Sequence, residues 1–196
     1  MNKSTTAILI ITAAFLFMWK PAKAQDQTGL YFTAMTMHLL GDKNADLMPL
    51  RLDPRGLFVI NVGAAVQYRK QIGHSRWSVD AEQTFQADCA FKGSWGTGVS
   101  LGYHFIKNRK HQFIFALGPG FFFRKNWAVL DGYLQVEELK ISKNKKWEYQ
   151  FVPVVPHVEY AWFPKGKNLA VSAYCIFDPI MALGNVGFGV NYRLKD

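Results

Sequence analysis

Hydrophobic and polar residues alternate over residues 77–92, the most regular pattern in the chain. Trp77, Val79, Phe85 and Phe91 fall on one face, and Asp80, Glu82, Gln86 and Asp88 fall on the other. Successive side chains of a strand point to opposite sides, so this segment predicts a strand with one apolar and one polar face. Its sixteen residues exceed the usual length of a soluble sandwich strand, and the length favours the wall of a membrane barrel.

The same alternation predicts seven further strands. They cover residues 30–40, 57–69, 95–106, 112–123, 149–163, 169–177 and 186–194. In several of them bulky apolar residues share one face and glycine or polar residues share the other, the reverse of a soluble core. We therefore predict an all-β fold, an eight-stranded antiparallel transmembrane β-barrel with short periplasmic turns and longer extracellular loops. A tight outer turn is expected at residues 93–94.

Composition agrees with a barrel and identifies a targeting segment. Aromatic residues reach 15% and glycines number 16, and no apolar run after the first segment is long enough for a membrane helix. The first 24 residues combine Lys3, an apolar stretch over residues 7–18 and a small-x-small ending at Ala24. We expect a signal peptide cleaved before Gln25, with residues 25–196 forming a barrel in the outer membrane of a Gram-negative bacterium.

Two features leave alternatives open. Cys89 and Cys175 lie in predicted strands, and we expect both to act as small hydrophobic side chains on the outer face of the barrel. A disulfide between them is the alternative that an exported protein permits. The predicted outer loop over residues 124–147 has six Lys or Arg against three Asp or Glu. Its charge suits either contact with lipopolysaccharide phosphate or a simple solvated loop.

The predicted interior contains many small residues. An eight-stranded barrel is filled by side chains or holds one small ligand. The glycines either leave a slot for an acyl chain or permit close strand packing, and the inward carboxylates argue against a wholly apolar slot. The candidate substrate-binding residues are Gly96, Gly98, Gly102, His104, Gly118 and Gly120.

His38 and Ser94 are the candidate catalytic residues. His38 is predicted to point inward at the extracellular rim, and Ser94 falls in the outer turn at the same rim. An imidazole near a hydroxyl suits acyl transfer. His104 and His157, also predicted to face inward, are interpreted as structural. We find no metal-ligand spacing or cofactor motif in the sequence, and we expect no metal and no cofactor.

Several short segments resemble the lipid A palmitoyltransferase family, in order along most of the mature chain. Residues 30–38 (LYFTAMTMH) resemble the first strand of that family, which ends in its catalytic His. Residues 91–95 (FKGSW) resemble its Phe-Lys-Asp-Ser-Phe turn. Further similar segments are residues 101–103 (LGY), 124–127 (RKNW), 151–156 (FVPVVP) and 184–186 (GNV).

The resemblance implies an enzyme that moves an acyl chain, palmitate in the family, from a phospholipid to lipid A. It implies catalytic roles for His38 and Ser94. It also implies lateral lipid entry where Pro153, Pro156 and Pro179 interrupt strand pairing. Gly93 stands where the family has Asp, so Asp42, Asp46 or Asp88 is the candidate carboxylate beside His38. His104 aligns near the glycine that measures acyl length in the family.

Two other functions fit the sequence. One is a non-catalytic small outer-membrane barrel with structural or adhesive loops, and the other is a lipid A deacylase. In each case the expected partners are outer-membrane lipids, with a phospholipid donor and a lipid A or lipopolysaccharide acceptor for the transferase. We expect a monomer and no nucleic-acid partner.

Overall fold

A computed structural model describes residues 26–194, which form a closed antiparallel barrel. The predicted signal peptide lies outside the described residues. Eight long strands build the wall, and the two-residue strand β6 lies in a loop. The strands are β1 (Gln27–His38), β2 (Phe58–Gln71), β3 (Trp77–Ala87), β4 (Gly93–Lys107), β5 (His111–Lys125), β6 (Lys140–Ile141), β7 (Trp147–Trp162), β8 (Leu169–Asp178) and β9 (Leu183–Arg193).

Neighbouring strands in the sequence pair around the wall, and two further pairings complete the circle. β1 pairs with β9, and β5 pairs with β7, so the eight wall strands form one closed sheet. The wall strands are 10–16 residues long, whereas a tilted strand needs about 9–11 residues to cross a bilayer. The predicted eight-stranded barrel is confirmed.

The outer surface of the barrel is apolar. Phe85 and Phe188, which point outward from β3 and β9, are 59% and 57% exposed. Ile114, which points inward from β5, is 1% exposed. The predicted outward and inward faces are therefore confirmed for these strands. Trp and Tyr side chains lie towards both ends of the wall, as in membrane barrels. They include Trp77, Tyr103, Tyr160, Trp162 and Tyr192 near one end, and Trp95, Trp147 and Tyr149 near the other. None of the helices within residues 26–194 combines the length and apolarity needed to cross a bilayer.

The two ends of the barrel differ in their connections. One, the short-turn end, has connections at residues 72–76, 108–110 and 163–168, the last containing the short helix Pro164–Gly166. The other, the long-loop end, has longer connections at residues 39–57 and 126–146, with the short helices Ala45–Leu47 and Trp127–Val129. This asymmetry agrees with the prediction. The connection after β8 spans only residues 179–182.

β3 is shorter than its alternation predicts. Asp88 accepts hydrogen bonds from the backbone N–H groups of Ala90 and Lys92, and Phe91 has φ +57°. A carboxylate that binds its own following N–H groups competes with the strand ladder and makes a turn. The strand therefore ends at Ala87, and the predicted tight turn at residues 93–94 is wrong because both residues begin β4.

The shorter strand changes the environment of one cysteine. Cys89 lies in the turn over residues 88–92 and is 8% exposed, so the expectation of an outward-facing strand residue is wrong. Cys89 and Cys175 are both free thiols.

Buried charge fills the half of the interior nearer the short-turn end. Arg69 donates from Nε and Nη2 to both oxygens of Asp80, and from Nη2 to Glu159 Oε2 at 2.8 Å. Tyr31 donates its hydroxyl proton within the same cluster, to Gln67 Oε1 or Asn191 Oδ1. We call this cluster the polar plug. Its ion pairs satisfy charges that would otherwise be costly to bury.

Candidate functional site

A cavity of about 180 Å³ occupies the half of the interior nearer the long-loop end. Four of the predicted substrate-binding residues line it, namely Gly96, Gly98, Gly118 and Gly120. Gly102 and His104 lie outside it. A Cβ at Gly102 would lie 2.6 Å from Ser78 Oγ, and His104 is fully buried among the strands around the polar plug. We call this space the mouth cavity.

The glycines differ in the space that their surroundings leave for a side chain. A Cβ at Gly118 would lie 2.0 Å from the Val99 carbonyl oxygen, so that glycine permits close strand approach. A Cβ at Gly98 would lie 3.4 Å from the Pro119 carbonyl oxygen, which is ordinary contact. A larger side chain at Gly98 would therefore extend into the mouth cavity instead of breaking the wall.

His38 points inward at the end of β1, is 5% exposed and lines the mouth cavity, as predicted. Its Nδ1 lies 3.2 Å from Asp42 Oδ2. A carboxylate only accepts hydrogen bonds, so in the neutral imidazole Nδ1 carries the proton and Nε2 keeps its lone pair. Burial raises the pKa of the Asp42 carboxyl, but the hydrogen bonds from His38 and the Asn44 N–H outweigh burial and lower it below its usual value.

Asp42 is the one of the three candidate carboxylates that contacts His38. The Asp46 side chain is exposed and pairs with Arg51. Asp88 accepts from the turn N–H groups and from Trp127 Nε1 at 2.7 Å. A Cβ at Gly93 would have no atom within 4 Å, so this position points into open space.

Cys89 occupies the other side of the imidazole. Its Sγ lies 3.3 Å from His38 Nε2, and both residues line the mouth cavity. Burial, with the charge of Asp88, raises the pKa of the Cys89 thiol to about 12, so the resting group is a thiol. No pattern in the sequence predicts this contact, because alternation over residues 77–92 places Cys89 on the outer face of a strand.

Ser94 does not join this group. It is 4% exposed on β4, and its hydroxyl donates to the Gln86 carbonyl oxygen at 3.2 Å. Both ring nitrogens of His38 have other partners, Asp42 and Cys89. The structure thus brings His38 together with a carboxylate and a thiol instead of with the predicted serine.

The loop over residues 126–146 is anchored to the ends of β5 and β7 beside the mouth cavity. Arg124 donates from Nε to Glu148 Oε2 at 2.6 Å and stacks 4.1 Å from the ring centroid of Trp127. Tyr133 donates to Glu148 Oε1 at 2.9 Å. Arg124 is buried and paired, so the exposed positive charge of this loop comes from its lysines.

The wall is interrupted beside the mouth cavity. β7 pairs with β8 only over residues 157–162, and β6 pairs with β7 only at Glu148 and Tyr149. In the described structure, residues 150–156 of β7 have no ladder partner on that side. Pro153 and Pro156 lie in this segment, and proline has no N–H to donate to a ladder. Val155 and Ile176, on the two sides of the gap, both line the mouth cavity.

The third predicted access residue, Pro179, interrupts no strand. It follows Asp178, the last residue of β8, in the connection to β9. The predicted pairing defect is therefore wrong for Pro179, because the chain already turns there.

Comparison with known proteins gives similarity in structure alone. No protein-family model matches the chain, and no curated protein matches its sequence. One similar solved structure is Ail, the attachment invasion locus protein of Yersinia pestis, with 14% identity, a TM-score of 0.49 and coverage of 87% of this chain and 98% of Ail. Neisserial surface protein A has 10% identity, a TM-score of 0.48 and coverage of 87% and 97%. A de novo designed transmembrane β-barrel has 8% identity, a TM-score of 0.47 and coverage of 88% and 96%.

Proposed function

We propose that this chain is an outer-membrane acyltransferase that moves a fatty acyl chain from a phospholipid to lipid A. The observation that carries the proposal is the Asp42–His38 pair at the entrance of a cavity bounded by glycines. The apolar outer face of the barrel supports a place in the outer membrane. The long-loop end would face outward, where lipid A is found.

The chemistry follows from the tautomer of His38. Nε2 accepts the proton of the attacking nucleophile as that nucleophile bonds to the acyl carbonyl carbon of the phospholipid. The ester bond to the glycerol oxygen breaks, and His38 returns the proton to that oxygen. Asp42 stabilises the imidazolium between these steps.

The gap between β7 and β8 supports lateral entry of the acyl chain. A lipid in the outer leaflet could pass its chain between residues 150–156 of β7 and the end of β8 without leaving the bilayer. The mouth cavity is close to the roughly 150 Å³ apolar cavity that holds benzene, so it suits a segment of about seven carbons. The rest of a longer chain would lie in the gap.

Mass spectrometry of lipid A tests the proposal. Expression in a Gram-negative host should add one acyl chain to lipid A, and His38→Ala and Asp42→Asn should reduce the added species by 100-fold or more, on the order of a general-base contribution. His74→Ala, an exposed histidine in a short turn, is the matched control. An unchanged lipid A mass with folded wild-type protein, or full activity in folded His38→Ala, would refute the proposal.

A non-catalytic barrel is the second candidate, and one observation favours it. Both ring nitrogens of His38 and the hydroxyl of Ser94 have protein partners, which also describes a polar cluster that only stabilises the loops. On this hypothesis lipid A is unchanged, and His38→Ala lowers only the stability of the protein. Loss of an acyl chain from lipid A would instead identify a deacylase.

A further inference from the structure

Three side chains at the mouth of the barrel are arranged as a nucleophile, a base and an orienting carboxylate. Asp42 Oδ2 lies 3.2 Å from His38 Nδ1, and Cys89 Sγ lies 3.3 Å from His38 Nε2. With the proton on Nδ1, Nε2 can only accept, so the Cys89 S–H points towards it. This sequence of contacts is the usual one for an activated thiol or hydroxyl nucleophile.

The cavity beside Cys89 contains polar atoms without partners. Asn61 is 3% exposed and lines the mouth cavity, and its Oδ1 has no hydrogen-bond partner within residues 26–194. His157 also lines it, and its Nε2 has no partner in the same part of the chain. Buried polar atoms are nearly always paired, so these two atoms indicate a ligand with polar groups as well as an apolar chain.

The thiol is a weak nucleophile until the base acts. Its raised pKa leaves almost no thiolate at neutral pH, so the proton has to move to His38 while Sγ attacks. A hydroxyl nucleophile needs the same assistance. The geometry supplies that assistance directly, with no rearrangement of the loop over residues 39–57.

We propose that Cys89 is the acyl-accepting nucleophile of this site, so that the acyl chain passes through a thioester on Sγ. This inference rests on the proposed acyl-transfer function. Sγ bonds to the acyl carbonyl carbon, the ester bond to the glycerol oxygen breaks, and His38 moves the thiol proton to that oxygen. The hydroxyl oxygen of the acceptor then bonds to the thioester carbon, the carbon–sulfur bond breaks, and the hydroxyl proton passes through His38 to the sulfur.

Intact-mass spectrometry of the full barrel in detergent tests the thioester. The protein is incubated with p-nitrophenyl hexanoate in the absence of lipid A and quenched in acid. We expect a single hexanoyl adduct that neutral hydroxylamine removes, together with a burst of p-nitrophenol. Cys175→Ala should keep the adduct, and Cys89→Ala and His38→Ala should lose it. A shift of migration on heating in detergent gels checks that each variant is folded.

Lipid A analysis separates this inference from the proposed function. If folded Cys89→Ala still adds an acyl chain to lipid A, the thioester is overturned and direct transfer through His38 stands. If lipid A is unchanged but Cys89 is acylated, the thioester stands and the transferase proposal falls. A folded wild-type barrel that forms no hydroxylamine-sensitive adduct would also overturn the thioester. Cys89→Ser gives a second test, because its adduct should resist hydroxylamine.

Discussion

Gly98→Leu should shorten the acyl segment that the mouth cavity accepts. The Cβ has room at this position, so the strand should hold its register, and the remaining carbons would extend into the cavity. A cavity of about 180 Å³ corresponds to about seven carbons, by comparison with the roughly 150 Å³ cavity that binds the six carbons of benzene. The leucine side chain adds four carbons, which leaves room for about three.

The cost to binding follows from the buried methylenes. Each buried CH₂ contributes about 0.8 kcal/mol to binding. Losing the burial of four ligand carbons should therefore weaken binding by about 3 kcal/mol, which raises Kd on the order of 100-fold. Gly98→Ala removes room for one carbon and should cost about 0.8 kcal/mol, or roughly fourfold.

Titration calorimetry with straight-chain alcohols measures this directly on barrels transferred into amphipol. For the wild type, affinity should rise with chain length up to about seven carbons and then level off. In Gly98→Leu the chain length at which affinity levels off should fall to about three carbons. Identical chain-length profiles for folded wild type and folded Gly98→Leu would refute the assignment of this cavity as the acyl site.

Three further predictions concern the thiol, the polar plug and the outer face. Because the pKa of Cys89 is raised to about 12, the rate of alkylation of Cys175→Ala by iodoacetamide should keep rising between about pH 8 and pH 11. The rate for the denatured protein should level off near about pH 9. A plateau near about pH 9 in the folded barrel would contradict the burial argument. Glu159→Ala leaves Arg69 with a single carboxylate partner, so the free energy of unfolding measured in urea should fall by about 3 kcal/mol. A decrease below about 1 kcal/mol would show that Asp80 alone satisfies the guanidinium. Phe188→Arg should cost about 2–4 kcal/mol of stability in lipid vesicles, and Val129→Arg on the exposed loop should cost little; equal effects would contradict a lipid-facing Phe188.

The strands could be predicted because their signal is local. Alternation with period two places Phe85 and Phe188 outside and Asp80 inside whatever the neighbouring strand is. The error at Cys89 has a local cause as well, since Asp88 makes a turn with the following N–H groups while the alternation of side chains continues.

In the candidate site, too, some features follow from the sequence and others depend on the folded structure. The inward position of His38 follows from the alternation of Thr36 and His38 after a bulge between Thr33 and Met35, which reverses the faces set earlier in β1. Its partners do not, because Cys89 is 51 residues away and reaches Nε2 only when β1, β2 and β3 pair and the turn after β3 folds inward. Ser94 fits the sequence pattern equally well, yet its hydroxyl is directed to the Gln86 carbonyl.

Taken by itself, the sequence determined the number of wall strands, the lipid-facing side of regular strands such as β3 and β9, and the end of the barrel at which His38 lies. Register shifts inside β1 and β7 reverse the alternation in those two strands. Periodicity and turn length are properties of adjacent residues. Only the tertiary structure decided which carboxylate and which nucleophile stand beside His38, how deep the cavity extends before the polar plug, and where the wall opens. These depend on strand register and on contacts between distant segments, which single-strand patterns do not encode.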